Sequence, residues 1–231
     1  MLIMKWNSLG IVGGLGTETS SGFCVEVNKR IKALCNEQPH LIMENVPMTV
    51  DEELRLIHGE PCPSVLSKLL ASVERLSTLR VGLIVIPCNS VHIFFDELKK
   101  RTAIPLMNII METGKFCKEK NLNNVGLIAT TTTIQQRLHH NELQKLGINV
   151  IIPSEQNFID SCIERILNNK TLPDDQKNMI EVVKNLHKKG AEAIILGCTD
   201  FGRVIKQTDV DVRLIDTLMV LEDVVVKDYF K

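Results

Sequence analysis

The stretch Val81-Gly-Leu-Ile-Val-Ile-Pro-Cys-Asn-Ser-Val91 decides how this chain folds. Its first six residues are mostly aliphatic or β-branched and stop at a proline, which predicts a short buried strand. Residues 91–100 then have helical spacing. Cys88 is therefore expected where a strand ends and a helix begins, which is where open α/β sheets bind ligands.

A second stretch, Ala191-Glu-Ala-Ile-Ile-Leu-Gly-Cys-Thr-Asp200, repeats this pattern 110 residues further along the chain. An aliphatic run again leads into a cysteine, Cys198, followed by a small hydroxyl residue and a predicted helix. Two thiols on two equivalent turns indicate a fold with two similar halves that present both thiols to one cleft.

The rest of the chain alternates between strand and helix patterns. Further strands are predicted at residues 9–12, 41–46, 125–128, 149–152 and 213–216. Helices are predicted up to residue 35 and at 64–78, 134–146, 156–168, 174–189 and 218–230, with Ser64 as an N-cap. This alternation predicts an α/β protein with parallel sheets and right-handed crossovers.

Composition excludes several classes of protein. The chain has 231 residues, of which 44% are hydrophobic and 24% charged, and a net charge of −1. We therefore expect no nucleic acid or anionic membrane as a partner. No apolar run reaches the ~20 residues that span a bilayer, and Met1-Leu-Ile-Met-Lys-Trp6 turns polar too quickly for a signal peptide. We expect a cytoplasmic protein.

The chain contains seven cysteines, and none belongs to a Cys-x-x-Cys pair. An odd count without a signal peptide argues against a disulfide framework. Without a Cys-x-x-Cys pair a structural zinc site is not expected, and we expect no metal. Most of the cysteines are expected to be small buried hydrophobic residues.

The loop Gly13-Gly14-Leu15-Gly16 lies between the first predicted strand and the first helix. Its glycines allow the backbone to approach a small ligand closely, which makes Gly14 a candidate binding residue. The spacing is neither the dinucleotide fingerprint nor a Walker loop, so we expect no nucleotide cofactor. A purely structural turn is the alternative.

The two thiols suggest proton transfer at carbon. A helix N-terminus lowers the pKa of a cysteine, so one thiolate could remove a proton while the other thiol supplies one from the opposite side. That reaction is racemisation or epimerisation. In the alternative, a single nucleophilic cysteine uses His92, one helical turn after Cys88, as its base.

Hydroxyl and amide side chains at the predicted strand ends are candidates for holding a substrate carboxylate. They are Asn89, Ser90, Thr199 and the run Thr130–Thr133, within which Thr130 and Thr132 are favoured. Helix capping is the alternative role for each of them.

The sequence resembles the aspartate/glutamate racemase family of cofactor-independent amino-acid racemases over nearly its whole length. The resemblance is carried by the Gly10–Gly16 loop, Ile86-Pro-Cys-Asn-Ser-Val-His92, Val125-Gly-Leu-Ile-Ala-Thr130 and the Gly-Cys-Thr-Asp200 turn. It implies that Cys88 and Cys198 are the two catalytic bases and that no cofactor is needed. The substrate-binding residues that it implies, together with the loop candidates, are Gly14, Glu52, Asn89, Ser90, Thr130, Thr132, Thr199 and Asp200.

The resemblance also implies a homodimer of chains with two pseudo-symmetric three-layer domains and an active site in the cleft between them. The expected first domain comprises residues 1–104 with 210–231 and carries Cys88. The expected second domain comprises residues 105–209 and carries Cys198.

One departure from the family pattern concerns substrate choice. Aspartate racemases tend to have Pro-Asp-Arg after the second strand, and the arginine grips the side-chain carboxylate of the substrate. Here Val50-Asp-Glu52 stands in register, so Glu52 replaces the arginine and would repel acidic side chains unless Arg55 reaches in. An acid there could prefer a neutral or basic side chain, or could simply begin a solvated helix.

Several functions therefore stay open. The first is an amino-acid racemase of the aspartate/glutamate type or a relative with broader specificity. A hydantoin racemase and a maleate isomerase or decarboxylase are alternatives on the same fold. A non-catalytic amino-acid-binding sensor is the alternative from another class.

Overall fold

A computed structural model of the protein describes residues 6–230. The segment 1–5, on which the expected lack of a signal peptide partly depends, lies outside the described residues. Within residues 6–230 every predicted strand is present. The strands are β1 Leu9–Gly13, β2 Leu41–Asn45, β3 Leu83–Val85, β4 Asn124–Ile128, β5 Asn149–Ile151, β6 Ala193–Leu196 and β7 Arg213–Asp216.

The α-helices of the described residues are α1 Thr17–Cys35, α2 Val50–His58, α3 Pro63–Thr78, α4 Phe95–Arg101, α5 Ile109–Glu119, α6 Thr131–Gln135, α7 Leu138–Lys145, α8 Gln156–Leu167, α9 Pro173–Lys188 and α10 Thr217–Tyr229. Short 3-10 helices cover Ser90–Phe94, Phe201–Arg203 and Gln207–Asp209. No helix within residues 6–230 is long and apolar enough to cross a membrane.

Three helix predictions need correction. The helix predicted at 134–146 is divided into α6 and α7 by Arg137, whose φ of 53° is left-handed. The helix predicted at 91–100 opens with a 3-10 segment. Ser64 is not an N-cap, because Pro63 already occupies the first helical position, where its missing N–H carries no penalty.

The strands of residues 6–230 form two parallel sheets with related orders, β2-β1-β3 and β5-β4-β6-β7. A parallel bridge between Ile84 and Leu106 extends the first sheet at the place that β7 takes in the second. Strands β3 and β6, Leu-Ile-Val and Ala-Ile-Ile-Leu, are buried throughout, as parallel strands covered on both faces should be. The two halves are therefore pseudo-symmetric.

Each sheet is covered on both faces, which gives the expected three layers. One face of the first sheet packs with α1 and α10, and the other packs with α3 and α4. One face of the second sheet packs with α8 and α9, and the other packs with α7.

The structure differs from the expected domain boundaries at one strand. Strand β7 pairs with β6, so residues 213–216 belong to the second sheet and not to the first domain. Helix α5, expected in the second domain, packs Ile109 into the core of the first half and Cys117 into the core of the second. Each half ends in an extended segment and a helix, and these two helices, α5 and α10, pack against each other between the halves.

Candidate active site

A cavity lies where the loops at the strand ends of the two halves meet. Its polar lining consists of Glu53, Cys88, Ser90, Thr130, Cys198 and Asp200. Its apolar lining includes Leu15, Met48, Leu56, Ile57, Ile163 and Leu167. Because side chains of both halves line this cavity, a ligand bound in it would contact both halves.

The structure brings the two cysteines of the repeated pattern together. Cys88 follows β3 and Cys198 follows β6, and both line the cavity with half-buried side chains. Their thiols are close enough for charge on Cys88 to raise the pKa of Cys198. Strand ends of two parallel sheets thus converge on one small space, as the topology of such sheets favours.

The pKa values of the two thiols contradict the expectation from sequence. Burial raises the pKa of Cys88 to about 11, and the charge of Asp200 contributes. Burial and the charge of Asp200 also raise the pKa of Cys198 well above its ordinary value. The N–H groups of Ser90 and Val91 lower the pKa of Cys88, and the N–H of Asp200 lowers the pKa of Cys198, but burial outweighs these effects.

Asp200 is the acid beside the second thiol. The Sγ atom of Cys198 donates to Oδ2 of Asp200 across 3.9 Å, and Oγ1 of Thr19 donates to Oδ1 across 2.5 Å. Burial raises the pKa of Asp200, while the Thr19 hydroxyl opposes that change. Gly16, with a φ of 90°, leaves room for this carboxylate, because a Cβ there would lie 3.0 Å from it.

A group of hydroxyls lies at the turns after β3 and β4. Oγ of Ser90 lies 2.9 Å from Oγ1 of Thr130, and Oγ1 of Thr130 donates to Oγ1 of Thr133 across 3.0 Å. Thr130 also accepts from the backbone N–H of Thr133 and so caps α6. Ser90 and Thr130 line the cavity and therefore keep both candidate roles, capping and contact with a substrate.

Asn89 does not line the cavity. Its side chain is 1% exposed, its Nδ2 donates to Oγ1 of Thr217 across 2.9 Å, and its Oδ1 lies 3.0 Å from Nε2 of His139. These partners lie in α10 and α7. Asn89 therefore joins the Cys88 turn to two helices, and its direct contact with a substrate stays a prediction.

Thr132 and Thr199 also point away from the cavity. Oγ1 of Thr132 donates to the carbonyl of Leu56, and Oγ1 of Thr199 donates to the carbonyl of Pro87 across 3.2 Å. Each bond runs from one half of the molecule to a loop or helix of the other. These hydroxyls hold the walls of the cleft together rather than face its interior.

Gly14 serves the turn itself. Its φ is 87°, and a Cβ at this position would lie 2.3 Å from the carbonyl oxygen of Val46. The backbone after β1 therefore packs directly on the end of β2, which only glycine permits. This packing gives Gly14 a structural role, and its contact with a substrate stays a prediction, while Leu15 and Gly16 line the cavity.

Glu52 is placed differently from the expectation. Its side chain is buried, Nζ of Lys68 donates to both carboxylate oxygens at 2.8 and 2.6 Å, and the N–H of Thr49 donates to Oε2 at 2.8 Å. With Thr49 it forms a capping box, and the hydrogen bond from Lys68 lowers its pKa to about 2. Glu52 therefore does not reach the cavity.

The neighbouring residue Glu53 lines the cavity instead, and sequence reasoning missed it. Successive residues of a helix point about 100° apart, so a register error of one residue selects the wrong face. Helical spacing could have paired Glu53 with Leu56 and Ile57 on one face of α2. It could not have shown that this face meets the thiols.

His92 is not placed as a base for Cys88. Its Nδ1 atom lies 2.7 Å from the carbonyl oxygen of Cys88, and its Nε2 accepts from the N–H of Ile109 across 3.4 Å. Burial lowers its pKa to about 4, so the ring is neutral at pH 7. His92 fixes the turn and the start of α5, and it does not line the cavity.

Within residues 6–230, no three His, Cys, Asp or Glu side chains are grouped in a way that could hold a metal ion.

The sequence model of the family described as Asp/Glu/Hydantoin racemase matches residues 12–221. The chain belongs to this racemase family. It is 21% identical over 229 residues to the broad specificity amino-acid racemase RacX of Bacillus subtilis, covering 96% of this chain and 97% of that protein.

Solved structures share the fold of this racemase-family chain. An aspartate racemase from Picrophilus torridus superposes with a TM-score of 0.82 at 21% identity, covering 96% of this chain and 94% of the other. A glutamate racemase from Francisella tularensis, in complex with D-glutamate, gives 0.68 at 22% identity, covering 96% and 80%. These likenesses support the two-domain α/β architecture.

Proposed function

We propose that this protein is an amino-acid racemase that inverts Cα with two bases, Cys88 and Cys198. The observation that carries the proposal is that the two thiols, from equivalent turns of two pseudo-symmetric halves, line one small cavity. Membership of the racemase family and similarity to a broad specificity amino-acid racemase support it.

The proposed reaction is a proton exchange on opposite faces of one carbon. One thiolate removes the Cα proton, and the electron pair left on carbon is delocalised into the substrate carboxylate. The other thiol then donates its proton to the opposite face, which inverts the centre and exchanges the protonation states of the two sulfurs. The hydroxyls of Ser90 and Thr130 would hold the carboxylate as its charge grows.

A substrate would change the charge of the cavity. In the unliganded cavity both thiols have raised pKa values, partly because of the charge of Asp200. The ammonium group of an amino acid beside Asp200 would offset that charge and lower both values. The N–H groups of Ser90 and Val91 favour a thiolate at Cys88, so this sulfur would lose its proton first.

Cys198 would become a thiolate by another route. Its Sγ donates to Oδ2 of Asp200, whose pKa is itself raised by burial. A proton passed from Cys198 to Asp200 leaves the thiolate without placing a second negative charge beside it. Asp200 would thus bind the ammonium group in one state and carry a proton in the other.

Helix α2 joins the two halves beside the cavity. It meets the second half through His58, whose Nε2 lies 2.6 Å from Oε1 of Glu164, and through the Thr132 bond to Leu56. These contacts hold Leu56 and Ile57 of α2 at the wall of the cavity.

The test is an assay of the purified protein with a panel of L-amino acids in heavy water. Loss of the Cα–H signal is followed by NMR, and the two enantiomers are resolved by chiral chromatography. We expect deuterium incorporation together with formation of the D-enantiomer for at least one amino acid. The double variant Cys88→Ser, Cys198→Ser, checked for folding by circular dichroism, is the control.

Two outcomes would contradict the proposal. Ligand-induced shifts in Tm without exchange would indicate a sensor, and turnover of hydantoins but of no amino acid would indicate a hydantoin racemase. The expected homodimer stays a prediction that light scattering in solution would check.

A further inference from the structure

The charges around the cavity point to a substrate class. We infer that the site, on the racemase function proposed above, takes amino acids with a cationic side chain, and that Glu53 is the residue that selects them.

The charged side chains that line the cavity are both acidic. They are Glu53 and Asp200, and among residues 6–230 no Lys, Arg or His shares the lining. An aspartate or glutamate substrate would bring a further side-chain carboxylate into this partly buried space without a cationic partner. Because like charges repel strongly away from water, that class of substrate is disfavoured.

The cations near Glu53 on the same side of the molecule are already paired. Arg55 donates from Nε to Asp51 across 2.8 Å on the exposed side of α2. Lys68 donates to both oxygens of Glu52. Neither side chain reaches the cavity, so neither could play the part of an arginine that grips an acidic substrate.

Glu53 differs from the two acids before it in the first turn of α2. Asp51 and Glu52 each have a cationic partner, whereas the carboxylate of Glu53 has no hydrogen bond or ion pair within residues 6–230. The side chain is half-buried, and burial together with the charge of Asp200 raises its pKa. A partly desolvated, unpaired carboxylate gains most from a cation supplied by a ligand.

The surroundings of Glu53 suit an aliphatic chain that ends in such a cation. Leu56 and Ile57 lie three and four residues after it on α2, and so share its face. Ile163 and Leu167 form the matching apolar wall on α8. The methylenes of lysine, ornithine or arginine would contact these walls, while the charged end meets Glu53.

The two carboxylates would then divide the positive charges of the substrate between them. Asp200 lies beside the thiol of Cys198 and would take the α-ammonium group, which every amino acid has. Glu53 would take the side-chain cation, which only the basic amino acids have. Loss of Glu53 should therefore change the choice of substrate rather than the chemistry at Cα.

The experiment compares L-lysine with L-norleucine, which has the same straight carbon chain but no side-chain ammonium, and with L-glutamate. The full-length protein should give its highest kcat/KM for lysine and its lowest for glutamate. In Glu53→Gln the ratio of kcat/KM for lysine to that for norleucine should fall about 10- to 100-fold, the worth of a charge-assisted hydrogen bond.

Asp51→Asn is the matched control, because it removes the same charge from the same turn of α2 at an exposed, ion-paired side chain. The ratio of kcat/KM for lysine to that for norleucine should stay unchanged in this variant. Glu53→Arg should raise the ratio of kcat/KM for glutamate to that for lysine. This variant tests the site by a gain of activity, so the proposal can be checked even if Glu53→Gln folds poorly.

Each other result has a definite meaning. Equal losses for lysine and norleucine in Glu53→Gln would overturn the assignment, because Glu53 would then bind a group common to all amino acids. A wild-type preference for glutamate or norleucine would overturn the substrate class while leaving the racemase function intact. Exchange with no amino acid at all would refute the racemase function itself.

Discussion

The turns that carry Cys88 and Cys198 have the same place in the fold and different electrostatic surroundings. Both follow a buried strand and line the cavity. The sulfur of Cys88 has the N–H groups of Ser90 and Val91 near it, which favour a thiolate. The sulfur of Cys198 donates to the carboxylate of Asp200, which opposes one.

The difference shows what a repeated motif determines. The repeat sets where the two sulfurs lie, because strand order and the next turn are shared. It does not set their charge, because the residue two places after each cysteine is Ser90 in one turn and Asp200 in the other. The two thiols therefore hold equivalent positions in the two halves but differ in how readily each loses its proton.

The largest expected effect comes from removing either thiol. Cys88→Ser and Cys198→Ser should each lower the rate of racemisation by about 10²- to 10⁴-fold, because an alcohol is a far weaker acid and base at this position. Chiral chromatography measures the loss, and circular dichroism checks the fold. Full activity in either variant would contradict the proposal, because the cysteine removed would then take no part in the reaction.

A smaller effect is expected from Asp200→Asn. Racemisation should fall about 10-fold, because the group that would bind the ammonium and accept a proton is neutralised. The charge of Asp200 raises the pKa of both thiols, so its removal should lower these values. More thiolate is then present at pH 8, and alkylation by iodoacetamide should become faster at Cys198 and at Cys88.

Mass spectrometry of the alkylated peptides reads both sites in one sample. The increase should be greater at Cys198, which is in contact with Asp200 across 3.9 Å. Unchanged alkylation rates would mean that burial alone raises the pKa of the thiols, and the two turns would then be electrostatically alike.

The smallest effect is expected from Thr19→Val, which keeps the shape of the side chain and removes its hydroxyl. This hydroxyl donates to Oδ1 of the buried Asp200. Its loss should lower the free energy of unfolding by about 1–3 kcal/mol, the cost of leaving a buried acceptor unpaired. Urea denaturation at pH 7 measures the change.

Racemisation by this variant should decline less than in Asp200→Asn, since the carboxylate itself remains. A loss of racemisation as large as that in Asp200→Asn would show that Thr19 has a larger part in the chemistry than positioning this acid.

Much of the arrangement could be predicted from the sequence. Aliphatic runs ending in Pro87-Cys88 and Gly197-Cys198 are strong signals for buried parallel strands, and parallel strands bring the turns at their carboxyl ends to one edge of the sheet. The positions of both thiols, Ser90, Thr130 and Asp200 at the cavity result from that rule. These positions could be predicted because each depends only on a short run of neighbouring residues.

Other features depend on contacts that the pattern does not contain. Asn89 and Thr199 stand next to the thiols in sequence, yet their side chains turn to Thr217 and to the Pro87 carbonyl. The choice between Glu52 and Glu53 depends on one step of about 100° around α2. Strand β7 lies among residues expected in the first domain, and only its pairing with β6 reveals its sheet.

The thiol pKa values could not be predicted for a related reason. The turn after each cysteine does supply N–H groups that lower the pKa of the thiol. How deeply each sulfur is buried and how close it lies to Asp200 depend on tertiary packing, and these causes raise the pKa by more.

The most direct test of the central claim, that two thiols act on opposite faces of one carbon, is deuterium incorporation into separate enantiomers of the preferred amino acid. Cys198→Ser retains only Cys88, and it should exchange the Cα proton of one enantiomer without inverting it. Cys88→Ser should exchange only the other enantiomer. Exchange of the same enantiomer by both variants, or of both enantiomers by either one, would contradict the account.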